Sequence, residues 1–174
     1  MNSFGTDERS PDWVAPLVKA GRSAFELGDM PTACRLLSRA AGLLPLNGPE
    51  RYVLLPLLGS ALTETGRLSD ATGVLDEAIV LARAAADEEQ EALALFYRLE
   101  LSMWLGERAP YEAAERRARS MITRFENDQN EVGLARAWRL LSATLGGADA
   151  EEAGEQALAY AKSAGDRRTE LEVT

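Results

Sequence analysis

Residues 55–78 read LPLLGSALTETGRLSDATGVLDEA, and this stretch decides the fold. Leucine and alanine recur at spacings of three and four on both sides of Gly66, which is typical of two amphipathic helices joined by a short turn. Gly66 suits the left-handed conformation that ends many helices. Gly59 in the first segment and Ala71 in the second are small, and small residues allow two helices to approach closely. The stretch therefore predicts an antiparallel helical hairpin.

The same arrangement recurs along the chain. The residues that correspond to Gly59 are Gly21, Glu100 and Ser142, so successive units are 38, 41 and 42 residues apart (21 to 59, 59 to 100, 100 to 142). The small residues of the second helices lie 12, 12, 14 and 12 positions after these anchors, at Ala33, Ala71, Ala114 and Gly154. An insertion at residues 107–110 explains the longer step in the third unit. Four stacked hairpins can bury apolar faces that one hairpin cannot bury alone.

Helical periodicity and end signals predict eight helices, near residues 12–28, 30–44, 50–65, 68–86, 88–106, 110–126, 129–145 and 150–164. Gly28 and Gly66 suit helix ends, and Pro31 suits a first turn. Asp87, Asp128 and Asp149 are each followed three residues later by Gln or Glu, which is typical of a capped helix start.

The breakers between these segments are short, so one repeat domain is expected to span residues 11–165. Residues 1–10 are polar and are expected to be disordered. Residues 166–174 read as the start of a further helix that is cut off.

The spacing within each unit resembles the tetratricopeptide repeat (TPR), whose pattern is W-x₂-L-G-x₂-Y, then A-x₃-F, then P. The second unit reads Leu55-x₂-Leu58-Gly59-x₂-Leu62, then Ala71-x₃-Leu75, and the first reads Leu17-x₂-Ala20-Gly21-x₂-Ala24, then Ala33-x₃-Leu37 and Pro45. The resemblance implies an all-α, right-handed solenoid of about four antiparallel helix pairs. The alternative is a generic helical bundle with coincidental periodicity.

A more specific resemblance covers roughly residues 15–170. The stretches Gly28-Asp29-Met30-Pro31 and Gly66-Arg67-Leu68-Ser69-Asp70 and the joint Ala164-Gly165-Asp166 are similar to the C-terminal repeats of bacterial signalling proteins. In those proteins, which include adenylate cyclases and transcriptional regulators, the repeats follow a STAND-type ATPase. The resemblance implies a regulatory role. ATPase activity does not carry over, because this sequence has no G-x-x-x-x-G-K-[ST] loop.

Composition argues against several other functions. The 174 residues include 28 acidic and 19 basic ones, and a net charge of −9 disfavours binding to nucleic acid. The basic run at residues 115–119 is interpreted as a solvated helix face. The chain has no histidine, which is the commonest general base and metal ligand, and its only cysteine, Cys34, lies among apolar residues as a buried thiol would. We therefore expect no enzymatic activity, no metal and no cofactor.

Two acidic pairs, Glu88-Glu89 and Glu151-Glu152, lie near predicted helix starts. Negative charge there suits the helix dipole, so this interpretation is preferred to catalytic pairing. The polar N-terminus does not resemble a signal peptide, and no apolar run approaches the roughly 20 residues that span a bilayer. A cytoplasmic protein without membrane contact is expected.

The first helix of each pair lines the concave face in such solenoids, and this register directs Arg22, Phe25, Tyr97, Trp104 and Arg139 towards the groove. Arginine and aromatic side chains commonly anchor interfaces. Packing inside the core is the alternative for Tyr97 and Trp104. Two functions follow: a scaffold that binds a protein or peptide within a regulatory protein, or a sensor of a small inducer. Association between copies through the terminal repeats is a further expectation.

Overall fold

Eight helices joined by short connections form the protein in the computed structural model, which describes residues 13–46, 48–107, 111–166, 169, 170 and 173. The helices are α1 (Val14–Glu26), α2 (Met30–Ala41), α3 (Pro49–Glu64), α4 (Leu68–Ala84), α5 (Glu88–Leu105), α6 (Tyr111–Asn127), α7 (Glu131–Ser142) and α8 (Gly147–Ala164). No strand occurs in these ranges. The predicted disorder at residues 1–10, the inserted residues 108–110 and much of the predicted final segment lie outside the described residues.

Six joints between or after helices share one backbone arrangement. Each has a residue with positive φ at its centre: Gly28, Gly66, Ala86, Gly106, Gln129 and Gly165. The next residue donates its N–H back into the last helical turn, for example from Arg67 to the Leu62 carbonyl at 2.8 Å. These bonds satisfy carbonyls that the helix leaves without a partner, as in a Schellman motif. The expectation for Gly28 and Gly66 is confirmed.

Ala86 occupies such a joint with φ of +55°, although a Cβ is unfavourable in this conformation. Replacing Ala86 with glycine should raise the free energy of unfolding by about 1 kcal/mol, because glycine adopts positive φ without strain. Thermal denaturation measures the change. The control is Ala159→Gly on the exposed side of α8, where the same substitution should destabilise by about 1 kcal/mol. Destabilisation by both substitutions would contradict the strain at Ala86.

One of the three predicted N-caps is confirmed and two are wrong. Asp87 accepts a hydrogen bond from the Gln90 N–H at 3.1 Å, as expected. The cap of α7 is Asn130, not Asp128, because Gln129 takes the left-handed position of the joint and the helix begins after it. Asp149 lies in the first turn of α8, because that helix begins at Gly147 rather than at residue 150.

The helices stack with the odd-numbered ones on the inside of the curve. Each helix packs against its sequential neighbours, and α1, α3, α5 and α7 also contact one another in order. Within the described ranges, no two even-numbered helices make such a contact. Since elements on the inside of a curve lie closer together, the odd-numbered helices form the inner face. The fold is an all-α, TPR-like solenoid of four antiparallel pairs, as predicted.

Close helix crossings explain the small residues of the first two pairs. A Cβ at Gly21 would lie 2.5 Å from Leu37 Cδ2, and a Cβ at Gly59 would lie 2.4 Å from Leu75 Cγ. Ala33 is fully buried, and so is Ala71. The leucines of the second helices therefore occupy the volume that a larger side chain would need.

Replacing Gly59 with alanine should lower the free energy of unfolding by about 1–3 kcal/mol, because the new methyl group would overlap Leu75. The matched control is Gly73→Ala in the neighbouring helix α4, where nothing lies within 4 Å of the new Cβ. There the substitution should stabilise by up to about 1 kcal/mol through the better helix propensity of alanine. Chemical denaturation of both variants measures the difference, and equal effects would contradict the crossing.

The third pair is built differently from the first two. Helices α5 and α6 touch over only a short stretch, and Glu100 stands at the anchor where the first two pairs have glycine. Helix α6 instead packs closely on α7, where a Cβ at Gly133 would lie 2.6 Å from the Phe125 ring. Of the other two predicted crossing residues, Ala114 is buried, whereas Gly154 is partly exposed, and a Cβ added there would lie 3.8 Å from Val173 Cγ1.

The buried side chains form two hydrophobic clusters that meet on α5. One cluster contains α1 to α4 and the face of α5 that carries Leu93, Tyr97 and Leu101. The other contains α6 to α8 and the face of α5 that carries Ala92 and Leu99. Helix α5 therefore connects the two halves of the solenoid.

Candidate functional site: the inner face

The structure brings three of the five predicted groove residues together and adds a fourth residue. The Phe25 and Tyr97 rings pack edge to face with centroids 6.5 Å apart, and Phe96 packs on Tyr97 at 5.7 Å. The Arg139 guanidinium lies 3.3 Å from the centroid of the Phe96 ring. We call Phe25, Phe96, Tyr97 and Arg139 the aromatic cluster. It joins α1, α5 and α7 across the inner face.

The aromatic cluster is mainly a packing unit, because Tyr97 is 3% exposed and Arg139 is 2% exposed. A guanidinium over an aromatic face gains a cation–π attraction that grows when water is excluded. Sequence reasoning missed the part that Phe96 plays in this cluster. Its position beside Tyr97 on an inner helix was the available signal.

A cleft of about 710 Å³ opens between α1 and α3. It exists because these two helices contact each other only briefly. Its charged and aromatic lining residues are Lys19, Arg22, Glu26, Glu50 and Tyr52. The role of Arg22 in binding a partner stays a prediction. Burial raises the pKa of Tyr52, and the carboxylate of Asp87 raises it further, so the phenol stays protonated and polar.

A second cleft, of about 530 Å³, opens between α5, α7 and α8. Phe96 and Arg139 belong both to this cleft and to the aromatic cluster. The rest of the lining consists of Ser142, Ala150, Glu151, Gly154, Glu155, Leu158 and Val173. Arg139 is a predicted groove residue and Gly154 is a predicted crossing residue, and both line this cleft.

Trp104 is not part of either cleft. It lies between Met103 and Leu105 in the last turn of α5. Trp104 is 67% exposed, Met103 is 69% exposed and Leu105 is 39% exposed. Helix α6 touches α5 only briefly, so this turn has little cover. The structure places Trp104 apart from the aromatic cluster.

A carboxylate network at the start of α5 was also missed by sequence reasoning. Glu91 is 1% exposed and binds Arg83 of α4 and Arg117 of α6, each with a shortest distance of 2.6 Å. Glu88 binds Arg117 at 3.0 Å, and Glu89 accepts a hydrogen bond from Asn130 at 2.7 Å. The helix dipole was therefore an incomplete explanation for Glu88 and Glu89, because these side chains also tie α6 and α7 to α5.

Opposing effects set the acidity of Glu91. Burial by itself raises the pKa of this carboxyl, but hydrogen bonds and charge from Arg117 and Arg83 outweigh burial and hold the pKa below its usual value. The same balance holds for Asp166, where burial raises the pKa and Arg136 with Thr169 lowers it by more. Both carboxylates therefore stay ionised to a lower pH in the folded protein than in the unfolded chain.

Stability should consequently fall in acid. A folded-state pKa below the unfolded value contributes stability that is present above the unfolded pKa, which is 4.5 for Glu91 and 3.8 for Asp166, and that is lost as the pH falls through the lower folded-state pKa. Denaturant unfolding across this range should show the loss, and Glu91→Gln should make the dependence shallower because one linked proton is removed. A Glu91→Gln profile parallel to that of the wild type would contradict the assignment.

The described residues contain no group of three or more His, Cys, Asp or Glu side chains arranged to hold a metal ion. Cys34 is buried, as expected, with Arg67 Nη1 3.7 Å from its sulfur. Among the described helices, none combines the length and the apolar character that crossing a membrane requires.

Neither a family model nor a curated protein matches the sequence. Among solved structures, the chain is similar to a kinesin light chain-like protein of Podosopora anserina that has nearly identical TPR-like repeats. The alignment covers 92% of this chain and 91% of that chain, with 12% sequence identity and a TM-score of 0.46.

Proposed function

We propose that the protein is a non-catalytic helical-repeat scaffold that binds a segment of a partner protein along its inner face. One observation carries the proposal: inner-face helices line two open clefts, and one of these clefts shares Phe96 and Arg139 with an aromatic cluster that is already packed in place. A preformed surface loses little conformational entropy on binding. Arg22, Tyr52 and Phe96 are partly exposed in the linings of the two clefts, and arginine and aromatic residues are of the types that dominate interface energetics.

Several features support a non-catalytic role. The sequence has no histidine, so general acid–base chemistry would fall to carboxylates. The most buried of these, Glu91, is held by two arginines and lies in neither cleft. The acidic net charge likewise supports a protein partner over nucleic acid.

The sequence resemblance to the repeats of bacterial STAND-linked cyclases and transcription regulators supports a more specific role. We infer that the chain is a part or a relative of such a cytoplasmic regulator, in which the inner face would receive a partner segment and report it to an attached domain. Contact between copies through the terminal repeats stays a prediction that is compatible with this role.

A sensor of a small inducer is the second candidate. Volumes of about 710 and 530 Å³ fall within the range of small-molecule sites, which is about 300–1,000 Å³. The polar side chains of the larger cleft come from both α1 and α3, as a ligand site would require. Both clefts are open along the inner face, however, and this shape favours an extended segment.

Selection of random displayed peptides against the whole chain tests the proposal. Selected peptides should lose affinity about tenfold in Ser23→Trp, which fills the α1–α3 cleft, or in Gly154→Leu, which fills the α5–α7–α8 cleft. Ser120→Trp is the control, because Ser120 is exposed on the outer helix α6. Failure to select any binder, or equal affinity for all three variants, would reject the inner face as the binding surface.

A further inference from the structure

We propose that the cleft between α5, α7 and α8 selects a basic partner segment, one that places an apolar side chain in the cleft and lysine or arginine at its rim. This inference depends on the proposed function, because it names the chemistry of the segment that the inner face would bind. It follows from the lining of the cleft and from the charges beside it.

The rim of the cleft carries negative charge that no side chain in the described part of the chain neutralises. Glu151 and Glu155 line the cleft, and Asp149 and Glu152 lie beside them on α8. All four side chains are exposed, and none forms an ion pair or side-chain hydrogen bond within the described part of the chain. By contrast, Glu88, Glu89 and Glu91 each contact at least one arginine.

The helix dipole does not explain the whole set. Asp149 and Glu151 lie close enough to the start of α8, at Gly147, for the positive end of the dipole to stabilise them. Glu155 lies about two turns from the start of α8, where the effect of the dipole has decayed. A carboxylate at this position, one turn from Glu151 and on the same side of the helix, extends the negative charge along the cleft.

The floor of the cleft suits an apolar side chain. Phe96, Leu158, Ala150 and Val173 supply apolar surface, and Gly154 leaves space because it has no side chain. Arg139 is the basic residue among the described lining residues, and it is buried with its guanidinium against the Phe96 ring, so its charge faces an aromatic surface. The two rim carboxylates therefore set the charge that a ligand meets.

Charge complementarity identifies the occupant. The α1–α3 cleft has Lys19 and Arg22 beside Glu26 and Glu50, so its basic and acidic lining residues balance. Among the described residues, the lining of the α5–α7–α8 cleft has two exposed carboxylates and no exposed basic residue. Exposed carboxylates attract a cationic ligand and disfavour an anionic one, so a basic segment has the complementary charge.

The test uses two fluorescein-labelled peptides with one apolar pattern, one carrying lysine and the other glutamate at the remaining positions. Fluorescence anisotropy with the intact protein, at constant ionic strength, should show at least about tenfold tighter binding of the lysine peptide. The double variant Glu151→Gln/Glu155→Gln should weaken that binding about tenfold. The control Glu64→Gln/Glu126→Gln removes two exposed carboxylates elsewhere and should change it less than about twofold.

Three outcomes would overturn the inference: equal affinity for the two peptides, equal losses in the two double variants, or binding of neither peptide. Gly154→Leu provides an independent check, because filling the floor of the cleft should weaken binding of the lysine peptide while the rim charge is unchanged. Thermal denaturation verifies that each variant is folded. Displayed peptides that bind the inner face without a preference for basic residues would leave the proposed function intact and refute only this inference.

Discussion

Replacing Arg117 with alanine should lower the free energy of unfolding by about 3 kcal/mol, whereas the same replacement at Arg116 should change it by less than about 0.5 kcal/mol. Both residues lie in α6 and both lose the same side chain, so helix propensity affects them equally. Arg117 contacts the buried Glu91 at 2.6 Å and Glu88 at 3.0 Å. The Arg116 side chain is 74% exposed and lies 3.9 Å from Glu112.

The large effect at Arg117 arises from the carboxylate that remains. Glu91 is almost fully buried, and without Arg117 it would keep only Arg83, whose side chain is 55% exposed. A buried charge that loses a partner retains its desolvation cost. Helix α6 would also lose its main tie to α5, because these helices share little apolar contact.

Guanidinium-induced unfolding of Arg117→Ala, Arg116→Ala and the wild type measures both effects. For a chain of this length, about 3 kcal/mol corresponds to a decrease in Tm of about 10 °C. Similar losses in the two variants would mean that the network at the start of α5 is not the main connection between α5 and α6.

Replacing Ala71 with glutamate should be at least as damaging, with a loss of about 4 kcal/mol or more. Ala71 is fully buried in α4, close to the crossing where Leu75 fills the space beside Gly59. A glutamate here would overpack the joint and bury a carboxylate. Glu91 is a buried carboxylate in the described structure, and two arginines hold it in place.

The control for Ala71→Glu is Ser69→Glu, which introduces the same side chain two residues earlier. Ser69 is exposed in the first turn of α4, where negative charge is neutral or slightly stabilising. If Ala71→Glu does not fold, Ala71→Val should give a smaller, measurable loss of about 1–2 kcal/mol through overpacking alone. A Tm that is unchanged in Ala71→Glu would refute the crossing at this position.

Local sequence determined the positions of the helices and the type of most joints. Gly28, Gly66 and Asp87 act as predicted because a left-handed helix end and an N-cap depend on a few neighbouring residues. The predicted caps of α7 and α8 were wrong for a related reason: the helix starts at these joints, near Gln129 and Gly147, differ from the predicted starts by two and three positions.

Periodicity on α5 predicted a shared face for Tyr97 and Trp104 but could not distinguish their surroundings. The two residues are seven positions apart, so they lie on the same side of the helix. Tyr97 is buried because Phe25 and Phe96 pack against it, whereas Trp104 lies in a final turn that α6 scarcely covers. Burial depends on which distant elements reach a position, and sequence spacing within one helix does not contain that information.

The sequence by itself determined that this chain forms paired helices with close crossings at Gly21 and Gly59, because periodicity, turn residues and small side chains act over short distances. Only the tertiary structure decided that Arg117 turns inward from a run of charged residues to bind Glu91. It also decided that the α5–α7–α8 cleft lies beside carboxylates that have no ion-pair partner among the described residues. The physical reason is that ion pairs and clefts form between segments tens of residues apart, so their energies depend on three-dimensional proximity that no local pattern specifies.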